Sequence, residues 1–351
     1  MLFDPLQIRS IRFRNRIAVS PMCQYSSQDG FANDWHFVHL GSRATGGAAL
    51  VIQEATAVSP RGRISPDDMG LWKDEQIEPL QRITRFIKKQ GSVPGIQLAH
   101  AGRKASMQSP WKGAKILDLT AGGWISQAPS AIPFRETDPV PEAMTIVDIS
   151  QLRKDFISAA RRALESGFEV IEMHGAHGYL LNSFLSPLSN HRTDEYGGTF
   201  ENRTRLVKEI ITDIRTIWPE RFPLFLRISA TDYVEGGWDL PASVQLANDI
   251  KPLGVDLIDA SSGGLMPHVQ IPLGPGYQVP FAEKIRRETG ILTGAVGLIT
   301  KATQAEDIVS SGKADLVLLA RESLRNPNFP LTAAKELGVE IEWPLQYLRA
   351  R

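Results

Sequence analysis

The chain has 351 residues, 42% hydrophobic and 22% charged, with 39 Lys plus Arg balanced by 39 Asp plus Glu. That is ordinary globular composition without net charge, and neither a nucleic-acid nor a membrane partner is expected of it. One cysteine, Cys23, excludes an internal disulfide and any cysteine-built zinc or iron–sulfur cluster. The apolar runs are strand-sized, and the opening "MLFDPLQIRSIRFRNRI" carries charges where a signal peptide needs an apolar stretch, so a reducing, cytoplasmic setting is expected.

Taken in chain order, β-rich runs alternate with helix-length stretches. The expected strands are "RIAVS" around Ile17, "AALVIQE" at 48–54, "VPGIQL" at 93–98 and "FEVIEM" at 168–173. They continue with "PLFLRIS" at 223–229, "VDLIDA" at 255–260, "ILTGA" at 291–295 and "ADLVLLA" at 314–320. Most are continuously apolar, as in a parallel sheet covered on both faces. Apolar residues three or four apart predict amphipathic helices through Ile77, Leu80, Ile83 and Ile87, through Ile149, Leu152, Phe156, Ala160 and Ala163, and through Leu206, Ile210, Ile214 and Ile217. Gly91 and Gly167 mark helix ends.

Eight strand–helix units predict an α/β fold, the (β/α)8 TIM barrel, as a single domain over 1–351. Such a barrel takes about 250 residues. The surplus falls in a Gly-, Pro-, Trp- and Ser-rich segment, about 101–143, read as a capping insertion after the third strand. A doubly wound open sheet is the alternative, and no G-x-G-x-x-G follows the first strand to support a dinucleotide site of that kind.

Barrel enzymes carry their chemistry at the carboxyl ends of the strands. Here those ends hold Cys23 and Tyr25, then Gln53, Glu54 and Ala55, then Gln97, His100 and Arg103, then His174, His177 and Tyr179, and then Arg227. "SSGG", "TGAVG" and "ARESLR" follow the last three strands. The two histidines admit three readings: metal ligands, structural residues, or N–H donors to a substrate oxygen with Tyr179 as proton source. Gly175 and Gly178 disfavour the helix that a helical His-x-x-His metal pair needs. Glu54 and Glu172 could add ligands, but no further histidine or aspartate is well placed. At the far end, Gly294 to Gly297, Arg321 at the start of a short helix and Arg227 in the mouth suit a phosphorylated cofactor, although the glycines could equally make turns and nothing more.

The motifs "NRIAVSPMCQYSS", "QLAHAGRK", "HGAHGYLLNSFLSPLSNHRTDEYGG", "ENRTRLVKEI", "LRISATDY", "GAVGLIT" and "WPLQYLRAR" resemble, in order and over nearly the whole chain, the Old Yellow Enzyme family in its bacterial thermophilic-like, xenobiotic-reductase-like branch. The resemblance implies non-covalent FMN, reduced by NADPH or NADH, and an ene-reductase acting on activated C=C bonds of unsaturated aldehydes, ketones, maleimides and nitroalkenes, with nitroesters or other xenobiotics as further acceptors. It implies that His174 and His177 bind the acceptor's oxygen and that Tyr179 donates the proton. Pro21, Met22, Cys23, Ala55, Gln97 and Arg227 would contact the flavin ring, Gly297 and Arg321 its phosphate, and Tyr25 the substrate. Arg349 would reach the neighbouring subunit's site in a homodimer or homotetramer, and no metal is implied. The chain departs from the family pattern in having Ala320 rather than glycine before Arg321, and Thr199 where serine is common. A metal-dependent barrel hydrolase and a non-enzymatic binding scaffold are the competing readings.

Overall fold

Eight parallel strands pair in sequence order and close on themselves in the computed structural model, which describes residues 1–351. They are β1 (Ile17–Val19), β2 (Leu50–Ala57), β3 (Val93–Ala99), β4 (Val170–Gly175), β5 (Leu224–Ser229), β6 (Leu257–Ser261), β7 (Leu292–Ala295) and β8 (Leu316–Leu319). Closure is explicit, because β8 pairs with β1 through Val317–Ile17, Leu318–Ala18 and Leu319–Val19. The fold is therefore the expected (β/α)8 barrel, and the open-sheet alternative fails.

One long helix follows each strand: α1 (Asp34–Thr45), α2 (Ile77–Lys89), α3 (Ile146–Glu165), α4 (Phe200–Ile217), α5 (Leu240–Ile250), α6 (Val279–Thr289), α7 (Ala302–Ser310) and α8 (Phe329–Glu336). Local chemistry sets their ends. The Thr145 hydroxyl accepts from the Asp148 N–H at 3.2 Å while the Asp148 carboxylate accepts from the Thr145 N–H at 2.8 Å, a reciprocal cap on α3. After α3 the chain turns at Gly167, whose φ of +87° puts it in the left-handed region that side chains resist.

The strands sort their side chains with period two. Val51, Ile171, Met173, Leu226 and Ile258 face outward into an apolar layer shared with the helices. Leu50, Ile52, Val93, Val170, Phe225 and Leu257 face inward and fill the lower barrel. An N-terminal hairpin, Leu6–Ile8 paired with Ile11–Phe13, packs into that inner cluster and plugs the bottom. Charge fastens the plug: the Arg9 Nε lies 2.7 Å from the Asp256 carboxylate, which also pairs with Arg215 at 2.8 Å and accepts from the Leu224 N–H at 2.9 Å.

Residues 101–143 run between β3 and α3 as short 3-10 turns (Gly102–Lys104, Pro110–Lys112, Leu119–Ala121) and a two-residue ladder of Gln127–Ala128 with Glu142–Ala143. Their partners lie on the loop after β2. Ser109 bonds Asp67, the Lys112 ammonium reaches the same carboxylate at 2.7 Å, the Trp124 indole donates to the Arg61 carbonyl at 3.0 Å, and Arg61 pairs with Glu142 at 2.6 Å. No helix is long and apolar enough to cross a membrane.

Phe13 is fully buried in the plug. Phe13→Ala is expected to cost about 3–5 kcal/mol, read as a lowered denaturant midpoint with an unchanged slope. A loss below about 1 kcal/mol would show that the plug contributes little to the barrel.

Candidate active site

The period that fills the lower barrel with apolar side chains places polar ones above them. On β4 the inward residues climb from Val170 through Glu172 to His174, on β5 from Phe225 through Arg227 to Ser229, and on β6 from Leu257 through Asp259 to Ser261. His174 stands beside Arg227 in the ladder, and Gln97 on β3 stands beside Glu172. Beyond β4 the chain turns through His177 (φ +61°) and Gly178 (φ +75°). A Cβ on Gly178 would sit 2.3 Å from the Gly264 carbonyl oxygen, so only glycine permits this approach of the β4 and β6 loops. The turn brings three rings together: the His174 and His177 centroids are 5.1 Å apart, and those of His174 and Tyr179 are 5.0 Å apart, both pairs edge to face.

Hydrogen bonds orient these rings. The Ala176 N–H donates to Nδ1 of His174 at 3.4 Å, which leaves the proton on Nε2. His177 donates its backbone N–H to the Ser229 hydroxyl at 2.9 Å, and its Nε2 lies 2.7 Å from the Ser261 hydroxyl. Burial, and after it the Arg227 and Lys104 cations, push both imidazoles well below their usual range, so they are neutral. Burial, reinforced by Cys23, Tyr25 and Asp68, pushes the Tyr179 phenol well up, and it keeps its proton. The Lys104 ammonium bonds the His177 carbonyl at 2.8 Å and the Gly264 carbonyl at 3.1 Å, and lies 5.3 Å from the Tyr179 ring centre. Burial, with Arg103 and Arg135 nearby, lowers it to about 8. Neutral N–H donors beside a protonated phenol can polarise an acceptor oxygen and deliver a proton to carbon.

A cavity of about 250 Å³ runs from this cluster toward the last two strands, lined by His177, Arg227, Ser261, Gln278, Gly297 and Arg321 among others. Gly297 (φ +122°) presents bare backbone there, and a Cβ on it would come within 3.1 Å of the Tyr277 ring. Arg321 is exposed at the start of the short helix Arg321–Arg325, so the expected phosphate pair is brought together. Ala55 and Gln97 sit side by side across β2 and β3, after a bulge between Gln53 and Ala55. Pro21, Met22 and Cys23 follow β1 directly, and burial raises the Cys23 thiol well above its ordinary range. Arg227 donates to the Ser20 hydroxyl at 2.9 Å. One end of this cavity has the Arg321 cation and free backbone at Gly297, and Arg227 and His177 line it toward the site, while Gln97, Ala55, Pro21 and Met22 stand at strand ends outside that lining. These residues fit a phosphorylated flavin.

A second cavity, about 140 Å³, brings Tyr25 and Tyr179 together with Arg103, Lys104, Phe134 and Arg135. Arg349 is not near either cavity within this chain, because it lies in the exposed turn Leu345–Ala350. His100 serves the backbone, its Nδ1 accepting from the Gly102 N–H at 3.1 Å. Nowhere do three His, Cys, Asp or Glu side chains converge as a metal site would need. Lys104, Ser261 and Asp259 are neighbours of the site that sequence reasoning did not single out. For Ser261 and Asp259 the period-two count from Leu257 was an available signal. Lys104, inside the quoted "HAGRK", had none.

The family profile described as NADH:flavin oxidoreductase / NADH oxidase family matches residues 1–340. The chain is 51% identical to an NADPH dehydrogenase of Geobacillus sp. (strain WCH70), over 99% of this chain and 98% of that one. It is 49% identical to an NADPH dehydrogenase of Bacillus subtilis (strain 168), over 99% and 98%. A solved structure of the Old Yellow Enzyme homologue from Zymomonas mobilis superposes with a TM-score of 0.79 at 25% identity, covering 98% of this chain and 95% of that one.

Burial holds His100 down to about 3, against about 6.5 when unfolded. Below pH 6.5 the unfolded imidazole binds a proton that the folded one refuses, so this residue's contribution to stability falls on acidification. Asp68, raised to about 7 by burial, acts in the opposite sense, so the test is differential. Relative to wild type, His100→Asn should gain about 1.4 kcal/mol per pH unit below the unfolded value, measured by urea unfolding. A constant difference between the two proteins would show that His100 titrates normally when folded.

Proposed function

The chain belongs to the NADH:flavin oxidoreductase / NADH oxidase family, and we propose that within it this protein is an ene-reductase that takes electrons from NADPH and reduces activated carbon–carbon double bonds. It is an FMN-dependent oxidoreductase served by a nicotinamide, of the Old Yellow Enzyme kind. The chemistry that bound FMN supplies is the relay of hydride from the nicotinamide to the electron-poor alkene.

The observation that carries the proposal is the convergence of His174, His177 and Tyr179, three uncharged proton-bearing rings with that of His174 about 5 Å from each of the other two, where His177 lines a cavity that continues to Gly297 and Arg321. In this reading His174 and His177 grip the carbonyl or nitro oxygen of an enal, enone, maleimide or nitroalkene. As neutral donors they strengthen their hold as negative charge develops on that oxygen. Tyr179 gives its proton to the α-carbon. Its high proton affinity favours retention until the carbon becomes basic enough to take it, and the resulting phenolate would lie against Lys104. Arg227 holds a fixed positive charge where the electrons arrive, with Gln97, Ala55, Pro21, Met22 and Cys23 around the flavin ring and Gly297 and Arg321 at its phosphate. Tyr25 and the wall supplied by Arg103, Lys104, Phe134 and Arg135 shape the acceptor pocket, which gives the segment 101–143 its capping role within one domain. Nitroesters and other xenobiotics are acceptors of the same electronic type. Arg349, exposed at the carboxyl end, is free to enter a neighbouring subunit's pocket in a homodimer or homotetramer.

In stopped-flow experiments on the yellow FMN-loaded protein, Tyr179→Phe should slow reoxidation by an enone about a hundredfold or more and leave reduction by NADPH nearly unchanged. His174→Ala and His177→Ala should each weaken binding of a phenol, whose oxygen mimics that of the acceptor. Equal slowing of both half-reactions, or unchanged phenol affinity, would remove the respective roles. Arg349→Ala should raise the acceptor KM of the oligomer about tenfold, the size of one charge-assisted hydrogen bond. An unchanged KM, or a monomer in sedimentation, would end that assignment.

A further inference from the structure

The inner wall of the barrel holds one cation against two carboxyl groups directly beneath the cavity. Arg227 and Asp259 are ladder partners on β5 and β6, with the Arg227 Nε 3.2 Å from the Asp259 Oδ2 and the two side chains 8% and 0% exposed. Glu172, fully buried one inward step below His174, accepts from the Gln97 amide at 2.7 Å through Oε1. Its Oε2 and both Asp259 oxygens make no hydrogen bond. The surroundings provide no other charge. From β3 comes the Gln97 amide, from β4 the neutral His174, from β1 the Ser20 hydroxyl already used by Arg227, and from β7 Gly294, which has no side chain. Below lie Val170, Phe225 and Leu257.

We propose that Glu172 and Asp259 hold one proton between them, so that together they carry a single negative charge, and that this charge is the counter-charge of Arg227 and sets how readily FMN beside it accepts electrons. If both carboxyls were ionised, a net negative charge would lie in a dry interior. If both were protonated, Arg227 would be left uncompensated. One shared proton balances the cluster. Burial, followed by the nearness of Asp259, raises the Glu172 carboxyl, and burial raises that of Asp259, as for two like groups that cannot both ionise. The redox half of this inference rests on the reading that FMN lies against Arg227. The proton half does not.

Glu172→Gln, Asp259→Asn and the double variant test both halves. Infrared difference spectra of wild type against each single variant should show a protonated-carboxyl band that either substitution abolishes, because the remaining carboxyl then ionises as the sole partner of Arg227. In redox-dye titrations of the FMN-loaded proteins, each single variant should stay near the wild-type midpoint potential. The double variant should shift upward by more than the sum of the singles. A band that is absent from wild type, or that survives in one single variant, overturns the shared proton, as do upward shifts that add. A lost band with an unmoved potential in the double variant overturns the placement of FMN against Arg227 and supports the pair itself. If the double variant fails to fold, the infrared result on the singles decides the shared proton, and Arg227→Lys, which keeps the charge but moves it, decides the placement through its potential.

Discussion

A strand in a closed barrel shows every second side chain to the interior, and this single constraint sets both the stability of the molecule and its chemistry. With one frame per strand, the residues that fill the lower barrel also determine which residues reach the mouth. Phe225 inward means Arg227 and Ser229 inward, and Leu257 inward means Asp259 and Ser261 inward. A one-residue slip of β5 would bury Arg227 among aliphatic side chains behind the barrel and leave the inner wall beside Asp259 without its cation. The plug of Leu6, Ile8, Ile11 and Phe13 therefore acts at a distance. By holding the apolar layer in place from below, it helps fix the register of the polar layers above.

The barrel was legible because its signals are local and repeated. Apolar runs such as "AALVIQE" and the Ile77–Ile87 stripe each name their own element, and eight of them leave few arrangements. The rings of His174, His177 and Tyr179 were legible for a similar reason, since one strand end and the short loop after it carry all three within six positions and the glycines there disfavour a helix. The polar interior was less visible. Glu172 and Asp259 each interrupt a strand only once, and a lone acid in an apolar run reads as an irregularity until the neighbouring strand's Arg227 is set beside it.

The segment 101–143 shows the opposite limit. Its turns are held by Asp67 and Arg61, residues about 40 to 60 positions earlier in the chain, and by no periodic pattern of its own. Within it act only short local bonds, such as the Asp118 carboxylate accepting from the Ala121 N–H and the Leu117 N–H donating to the Ser106 carbonyl, which carry no repeating signal. The N-terminal hairpin escaped for another reason: its strands are three residues long, too short for an alternation to stand out, and they form because the barrel floor offers them an apolar surface.

Lys104 ends one chain of dependence and begins another. Its ammonium ties the carbonyl of His177 to that of Gly264, at the place where the two loops already touch backbone to backbone through Gly178. Three loops that a protein engineer would treat as separate cassettes are thus one joint. Grafting a relative's insertion into this scaffold to change its acceptor range keeps the histidine geometry only if the graft begins after Lys104. An exchange that starts earlier transplants the clasp together with the wall, and the two loops it fastens must then travel with it.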